Sequence, residues 1–259
     1  AAPSGIEVGA LQSWERLEDR SLPRIVAVNK LDRENTDFNK VVDEISATFG
    51  RKCVPIQVPN GSEVEFTSVK SLIINSNLEG VESDDQYERL VEAIAETDDE
   101  LAEKYLEGEP LTKDELIAGL RNGVSTGEIV PVVALAALEE IGVSELLEAI
   151  VELFPSPETT VTPELPSGKV ANLVFKTSAD PFVGKLSYFR VYGAPFIGNT
   201  EYWNANKEES ERVGQVSSPK GKDNDPTDEV VIGDIGVISR LNVTGTGDTL
   251  TDKTDPVTL

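Results

Sequence analysis

Asn29, Lys30 and Asp32, spaced as Asn-Lys-X-Asp, are the residues whose types and order carry the clearest chemistry in this chain. A carboxylate such as Asp32 presents two acceptor oxygens, which match the ring N–H and the exocyclic amine on one edge of guanine. Adenine lacks that pair of donors there, and a carboxylate facing it would be buried and unpaired. Asn29 can hydrogen-bond the opposite edge of the base and tie its loop together, while the aliphatic stem of Lys30 can lie along the ring. The plainer reading of the same residues is a polar surface turn after a strand.

Those residues need an element that holds them. Ile25, Val26, Ala27 and Val28 precede them, β-branched at three of four places, with Pro23 in front. This predicts a short strand buried on both faces, as inside a parallel sheet. Ligands of open α/β sheets bind just outside the carboxyl ends of the strands, which is where the motif falls.

The neighbouring segments predict the rest of such a layer. Leu11, Trp14 and Leu17 recur at helical spacing through about Arg20. Phe38, Val41, Val42, Ile45 and Phe49 share one helix face, and Gly50 is a natural end for that helix. Cys53 to Val58 reads as a strand edged by prolines. Asn60-Gly61 signals a turn, and Val64, Phe66, Val69, Leu72, Ile73 and Ile74 read as strand-like material. Residues 79–128 carry 16 acidic and 4 basic residues, yet Tyr87, Leu90, Val91, Ile94, Ala95, Leu101 and Tyr105 keep helical spacing. They predict a pair or trio of helices whose acidic face is either solvated or a docking surface for a basic partner. Ile129–Ala134 is a second buried-strand candidate running into Leu135-Ala136-Ala137-Leu138, and Leu146, Leu147, Ile150, Val151 and Phe154 make another amphipathic helix. Alternating helices and strands predict a doubly wound α/β layer.

Pro155, Pro157, Pro163 and Pro166 predict an extended connection over 155–167. Beyond it the pattern turns to short β-rich runs, at 170–176, 185–192, 200–205, 212–216, 236–241 and 255–259, which predict a small antiparallel barrel. The domain reading is thus 1–154, with an acidic insert over about 60–128, a proline-rich linker, and a barrel over 168–259.

Composition excludes several classes. The 259 residues carry a formal charge of −24, and 32 of the 47 acidic residues lie before residue 155. A broad electrostatic footprint on nucleic acid needs Lys and Arg and is not expected. There is no histidine, which removes histidine-based catalysis and histidine–zinc sites. A single cysteine, Cys53, forbids an internal disulfide and reads as a buried core thiol. No apolar run reaches membrane-spanning length and no leader is present, so a cytoplasmic address is expected.

The order of motifs resembles translation elongation factor G or a close paralogue, nearly end to end. The resemblance rests on Gly5-Ile-Glu-Val-Gly9, Leu22-Pro-Arg-Ile-Val-Ala-Val-Asn-Lys-Leu-Asp-Arg-Glu-Asn35, Gly142-Val143 with Phe154-Pro-Ser-Pro157, Phe175-Lys-Thr-Ser-Ala-Asp-Pro-Phe-Val-Gly-Lys-Leu186, Gly233-Asp-Ile-Gly236 and Thr246-Gly-Asp-Thr-Leu250. It implies a partial GTPase-type sheet with an inserted helical subdomain, followed by a small β-barrel. It implies that Asn29, Lys30 and Asp32 read guanine in GTP or GDP. It places Ala136, Ala137 and Leu138 at the family's Ser-Ala-Leu-like loop, whose central backbone N–H, here that of Ala137, reaches the guanine carbonyl. Ala136 replaces the serine and removes a side-chain brace. The resemblance also implies a parent that hydrolyses GTP with magnesium and promotes ribosomal translocation, touching the stalk protein through the insert and the small subunit through the barrel.

The sequence contains no Gly-x-x-x-x-Gly-Lys-Ser/Thr, no switch-I threonine and no Asp-x-Pro-Gly-His segment. The expectation is a fragment that begins within a GTPase domain and ends after the barrel, with its sheet edge unpaired, binding guanine nucleotide at best in the millimolar range and not hydrolysing it alone. Two other readings fit the same residues. One is a non-catalytic ribosome- or stalk-binding module. The other is the equivalent piece of a peptide-release or tetracycline-resistance (ribosomal protection) factor.

Overall fold

The computed structural model describes residues 1–74, 85–157, 165 and 168–259. They fall into two compact units, Ala1–Phe154 and Pro155–Leu259. Most of the predicted proline-rich connection, and residues 75–84 of the predicted insert, lie outside the described residues.

The first unit is built on a three-stranded parallel sheet, β1 (Val26–Val28), β2 (Cys53–Pro55) and β5 (Val130–Ala134), in the order β1-β5-β2. The central strand is β5, buried at all five positions. Val130, Val132 and Ala134 face one core and Val133 faces the other, which explains the unbroken apolar run. β1 departs from expectation: Ala27 is exposed, and the strand is not buried on both faces. As an edge strand it is covered mainly on the side of Val26 and Val28.

Helices cover both faces of that sheet. On one side α1 (Val8–Glu18) brings Trp14 and α2 (Phe38–Phe49) brings Phe38, Val41, Val42 and Ile45. Burying side chains of this size contributes about 1.5–3 kcal/mol each. Asp37 caps α2 by accepting the Lys40 N–H at 3.1 Å, and Gly50, at φ 102°, ends it. Trp14 stacks on Phe49 at 4.2 Å, and the Arg24 guanidinium lies 4.6 Å from the Trp14 ring while pairing with Glu18. Burial pushes the Cys53 thiol up to about 11, consistent with a core role.

The other face is covered by α3 (Asp85–Ala95), α5 (Lys113–Thr126) and α6 (Val143–Leu153), with α4 (Asp99–Leu106) joining α3 to α5. Leu90, Ile94, Leu116, Leu120 and Val124 from this acidic stretch share one core with Val54, Val133, Ala149 and Leu153. Thr112 and Glu115 close a capping box at the start of α5. Cys53–Val58 divides at Ile56, whose N–H donates to the Val132 carbonyl and whose carbonyl accepts the Leu72 N–H. β2 therefore ends there, and β3 (Gln57–Asn60) pairs antiparallel with β4 (Ser68–Ser71) in a separate ribbon. The rest of 64–74 is not strand: a short 3₁₀ turn covers Glu63–Glu65, and Leu72, Ile73 and Ile74 enter the core as irregular chain.

The second unit is antiparallel. β6 (Ala171–Asp180), β7 (Gly184–Val191), β9 (Glu201–Asn204), β10 (Glu209–Arg212), β11 (Val216–Lys220), β12 (Asp223–Thr227), β14 (Ile235–Ser239) and β15 (Thr249–Thr251) form one sheet, in the order β10-β9-β15-β6-β7-β14-β11-β12. β8 (Phe196–Ile197) and β13 (Glu229–Val230) pair separately. The strands wrap one core around Phe189, Phe196 and Tyr202, the last two stacked at 4.2 Å. Two expected strands are displaced. Residues 255–259 form no strand, because the Val257 and Leu259 amides donate to the Thr251 and Thr249 hydroxyls rather than to a ladder. The run 212–216 is the crossing from β10 to β11, held by Val213 N–H to Thr200 O at 2.9 Å.

Candidate functional site

The carboxyl ends of β1 and β5 are adjacent, because the two strands pair in register from Val26↔Val132 to Val28↔Ala134. The loop after each strand begins at that point. The Leu135 N–H donates to Val28 O at 2.9 Å and the Leu31 N–H donates back to Leu135 O at 3.2 Å. Beyond this backbone exchange, the Ala137 N–H donates to Asn29 Oδ1 at 3.0 Å, and the same oxygen accepts the Lys30 N–H at 2.8 Å. Asn29 therefore braces both loops. Lys30 takes φ 67°, a left-handed conformation that this second bond helps to hold, and its side chain is exposed.

Asp32 is half-buried, its side chain 19% exposed, with Oδ2 3.3 Å from Arg33 Nε. The loop around it is closed by Thr36, whose hydroxyl donates to Leu31 O at 3.0 Å and Arg33 O at 2.8 Å. Asn35, at φ 60°, donates its N–H to Glu63 Oε1 at 2.7 Å. Ala136 is buried among the core residues below β5 and exchanges backbone hydrogen bonds with Ile141, at 3.0 and 3.1 Å. Leu138 stands 82% exposed on the turn that follows. Of the predicted residues, Asn29 and Ala137 are joined directly, Ala136 supports from beneath, and Leu138 faces solvent.

Several contributors were not evident from residue type. The Ala2 N–H donates to Asn29 O at 2.8 Å, so the N-terminal turn (Ala2–Ser4) frames the same loop. Ile6 N–H is held by Glu44 Oε1 at 3.2 Å, and a side chain at Gly5 would collide with that carboxylate. Thr36 and Glu63 act through loop closure, a role that no spacing announces. Among the described residues no group of three or more Cys, Asp or Glu side chains could hold a metal ion.

A parallel-sheet edge with two braced loops suits recognition of a flat, donor-rich ring. The family model for the elongation factor Tu GTP binding domain matches residues 1–156, and that for elongation factor G domain 2 matches residues 169–253. A crystal structure of a Thermus thermophilus protein superposes with a TM-score of 0.82 at 28% identity, covering 99% of this chain. The chain spans 40% of the length of that structure. Among the described residues no helix is long and apolar enough to cross a membrane. With more than half of its length matched by the GTP-binding model, this chain belongs to the translational GTPases of the elongation factor Tu and elongation factor G type.

Proposed function

We propose that the loops after β1 and β5 are the guanine-reading part of a nucleotide site whose parent protein promotes ribosomal translocation. In this reading Asp32 accepts from the ring N–H and amine of guanine, the Lys30 stem lies along the ring, and the Ala137 N–H, which donates to Asn29 Oδ1, passes from that oxygen to the base carbonyl. Until that exchange Asn29 holds the two loops together. The observation that supports the reading is the 3.0 Å bond from the Ala137 N–H to Asn29, which joins the loops before any base arrives.

The energetics set the strength of that binding. Phosphate and magnesium contacts dominate nucleotide affinity in P-loop proteins, and the 259 residues hold no phosphate-loop motif. Base hydrogen bonds contribute about 0.5–3 kcal/mol each, against roughly 4–15 kcal/mol of association cost. Calorimetric titration of the chain with GDP is expected to give a dissociation constant no tighter than about 1 mM, roughly −4 kcal/mol, and no GTP hydrolysis. Micromolar binding would contradict this.

We further infer that the acidic helices engage the ribosomal stalk protein and that the barrel faces the small ribosomal subunit. In support of the first, α3, α4 and the start of α5 enclose a groove of about 510 Å³, lined by Tyr87, Val91, Tyr105, Leu111 and Leu116 and rimmed by Glu88 and Glu109. An apolar floor with an anionic rim fits a basic, amphipathic segment. Purified stalk protein is expected to bind the chain and to weaken as salt rises; Glu88→Lys with Glu109→Lys is expected to remove binding. Equal binding by that double variant would direct attention to another surface.

A further inference from the structure

The loop that carries Asp32 is fastened at both ends, by different segments. At its start the Leu31 N–H is tied to Leu135 O at 3.2 Å. Leu31 O and Arg33 O both accept the Thr36 hydroxyl, so the residues on either side of Asp32 follow Thr36. Asn35 precedes Thr36, and its N–H donates out of the loop. The acceptor is Oε1 of Glu63, at 2.7 Å and 28 positions away, on the turn between β3 and β4.

That turn is firmly seated. Phe66 is buried in the core that also holds Val28, Leu31 and Phe38. A Cβ at Gly61 would lie 2.1 Å from Glu65 O, so the chain enters the turn in close contact with its exit. Glu63 takes φ 51°, in the left-handed region that disfavours a side chain. Asn35 takes φ 60°, but asparagine enters that region more readily. Backbone conformation alone would favour glycine at position 63. The side chain present there instead makes one long-range contact, to the loop of Asp32, and strain maintained in this way points to a functional constraint.

We propose that Glu63 is a positioning residue for guanine recognition: by holding Asn35 it fixes, through Thr36, the direction of the Asp32 carboxylate. This rests on the base-reading role of Asp32. A carboxylate already aimed at the donors of the base loses less freedom on binding. The effect therefore falls on the guanine-specific part of affinity, not on contacts to sugar or phosphate.

The test is titration of the full chain with GMP and with AMP, followed through backbone amide shifts, for wild type, Glu63→Ala, Glu63→Gln, Glu63→Gly and Asp32→Ala. The two nucleotides share sugar and phosphate, so their difference reads the base. Loss of one hydrogen bond corresponds to GMP binding about three- to tenfold weaker in Glu63→Ala and Glu63→Gly, with AMP unchanged. Glu63→Gln keeps an oxygen for the Asn35 N–H and restores GMP binding to within about twofold of wild type. Glu63→Gly also releases the left-handed strain, so its denaturation midpoint is no lower than that of wild type while its GMP binding falls. A merely structural Glu63 would lower stability and binding together in Glu63→Gly, and that result overturns the proposal. So does a Glu63→Gln variant as weak as Glu63→Ala. GMP binding unchanged in Glu63→Ala overturns it while leaving the base site intact, provided Asp32→Ala loses the preference for GMP. If Asp32→Ala keeps that preference, or wild type shows none, the base-reading role fails and the proposal falls with it.

Discussion

Glu211→Ala is expected to lower the stability of the C-terminal unit by about 2–5 kcal/mol, the cost of stripping one partner from a buried charged network. Glu211 lies on β10 and is 1% exposed. Its carboxylate accepts three backbone N–H groups from one loop: Asn242 at 3.0 Å on Oε1, and Val243 at 2.7 Å and Thr244 at 2.8 Å on Oε2. Burial by itself pushes this carboxyl upward, but the three amides and the Thr244 hydroxyl outweigh it and hold the group below its ordinary 4.5. The same loop is fastened by Asn204, which donates to the Thr244 hydroxyl at 3.2 Å and to Asp248 at 3.0 Å. Removing the carboxylate strands three amides at once.

The sign of the pH dependence follows. A carboxyl held low in the folded unit binds its proton more readily when unfolded, so protons favour unfolding. The contribution of Glu211 is complete above pH 4.5 and is lost as the pH falls through the folded value beneath it. Denaturant unfolding of the full chain, followed through resonances of the second unit, should show Glu211→Ala far less stable at pH 7 and much closer to wild type in acid. Glu211→Gln tests the charge: it keeps the volume but sets amide hydrogens against backbone N–H groups, and it should also fall well short of wild type at neutral pH. Stability within about 0.5 kcal/mol of wild type, the range of an ordinary surface change, would remove Glu211 from this role.

None of that latch was legible in the sequence, for a physical reason. Glu211 sits in Glu-Glu-Ser-Glu-Arg, a polar stretch between the expected strands at 200–205 and 212–216. Only the crossing of the loop 242–244 beneath β10 turns one of its glutamates inward. The apolar elements were far easier to read. The periodicity of Phe38, Val41, Val42 and Ile45, with Gly50 behind it, gave α2 to the residue. The unbroken run ending at Ala134 gave β5, because a strand covered on both faces has no polar position to hide it. The same rule misled at β1, where a similar run is an edge strand with Ala27 open to solvent. Composition reports how apolar a strand is, not which neighbours it receives. In the candidate site, Asn29, Lys30 and Asp32 stood out by type and spacing. Thr36, Glu63 and the Ala2 amide did not, since each acts through a tertiary hydrogen bond between segments distant in sequence or across an irregular loop.

Gly142→Ala is expected to cost about 3 kcal/mol or more, combining left-handed strain with a backbone collision. Gly142 takes φ 76° and ψ 0° immediately before α6. A Cβ there would lie 2.3 Å from the Ala134 carbonyl oxygen, with Leu135 and Val69 side chains at 3.2 and 3.3 Å. The obstructing atom belongs to the end of β5 and cannot rotate away, so the chain must give between Ala134 and Ile141. That segment carries the Ala136–Ile141 exchange and the Ala137 N–H bound to Asn29. Gly127→Ala separates the two causes. Gly127 has a similar φ of 80° at the end of α5 but open space at its Cβ, so it should lose only the strain, about 1–2 kcal/mol. Denaturant unfolding of both variants gives the difference, and amide shifts of Lys30, Leu31 and Ala137 locate it. Those three amides should move in Gly142→Ala and stay put in Gly127→Ala. Equal losses in the two variants, or an undisturbed Ala137 amide in Gly142→Ala, would mean that the β5 loop is not wedged against α6 and that its hold on Asn29 is set elsewhere.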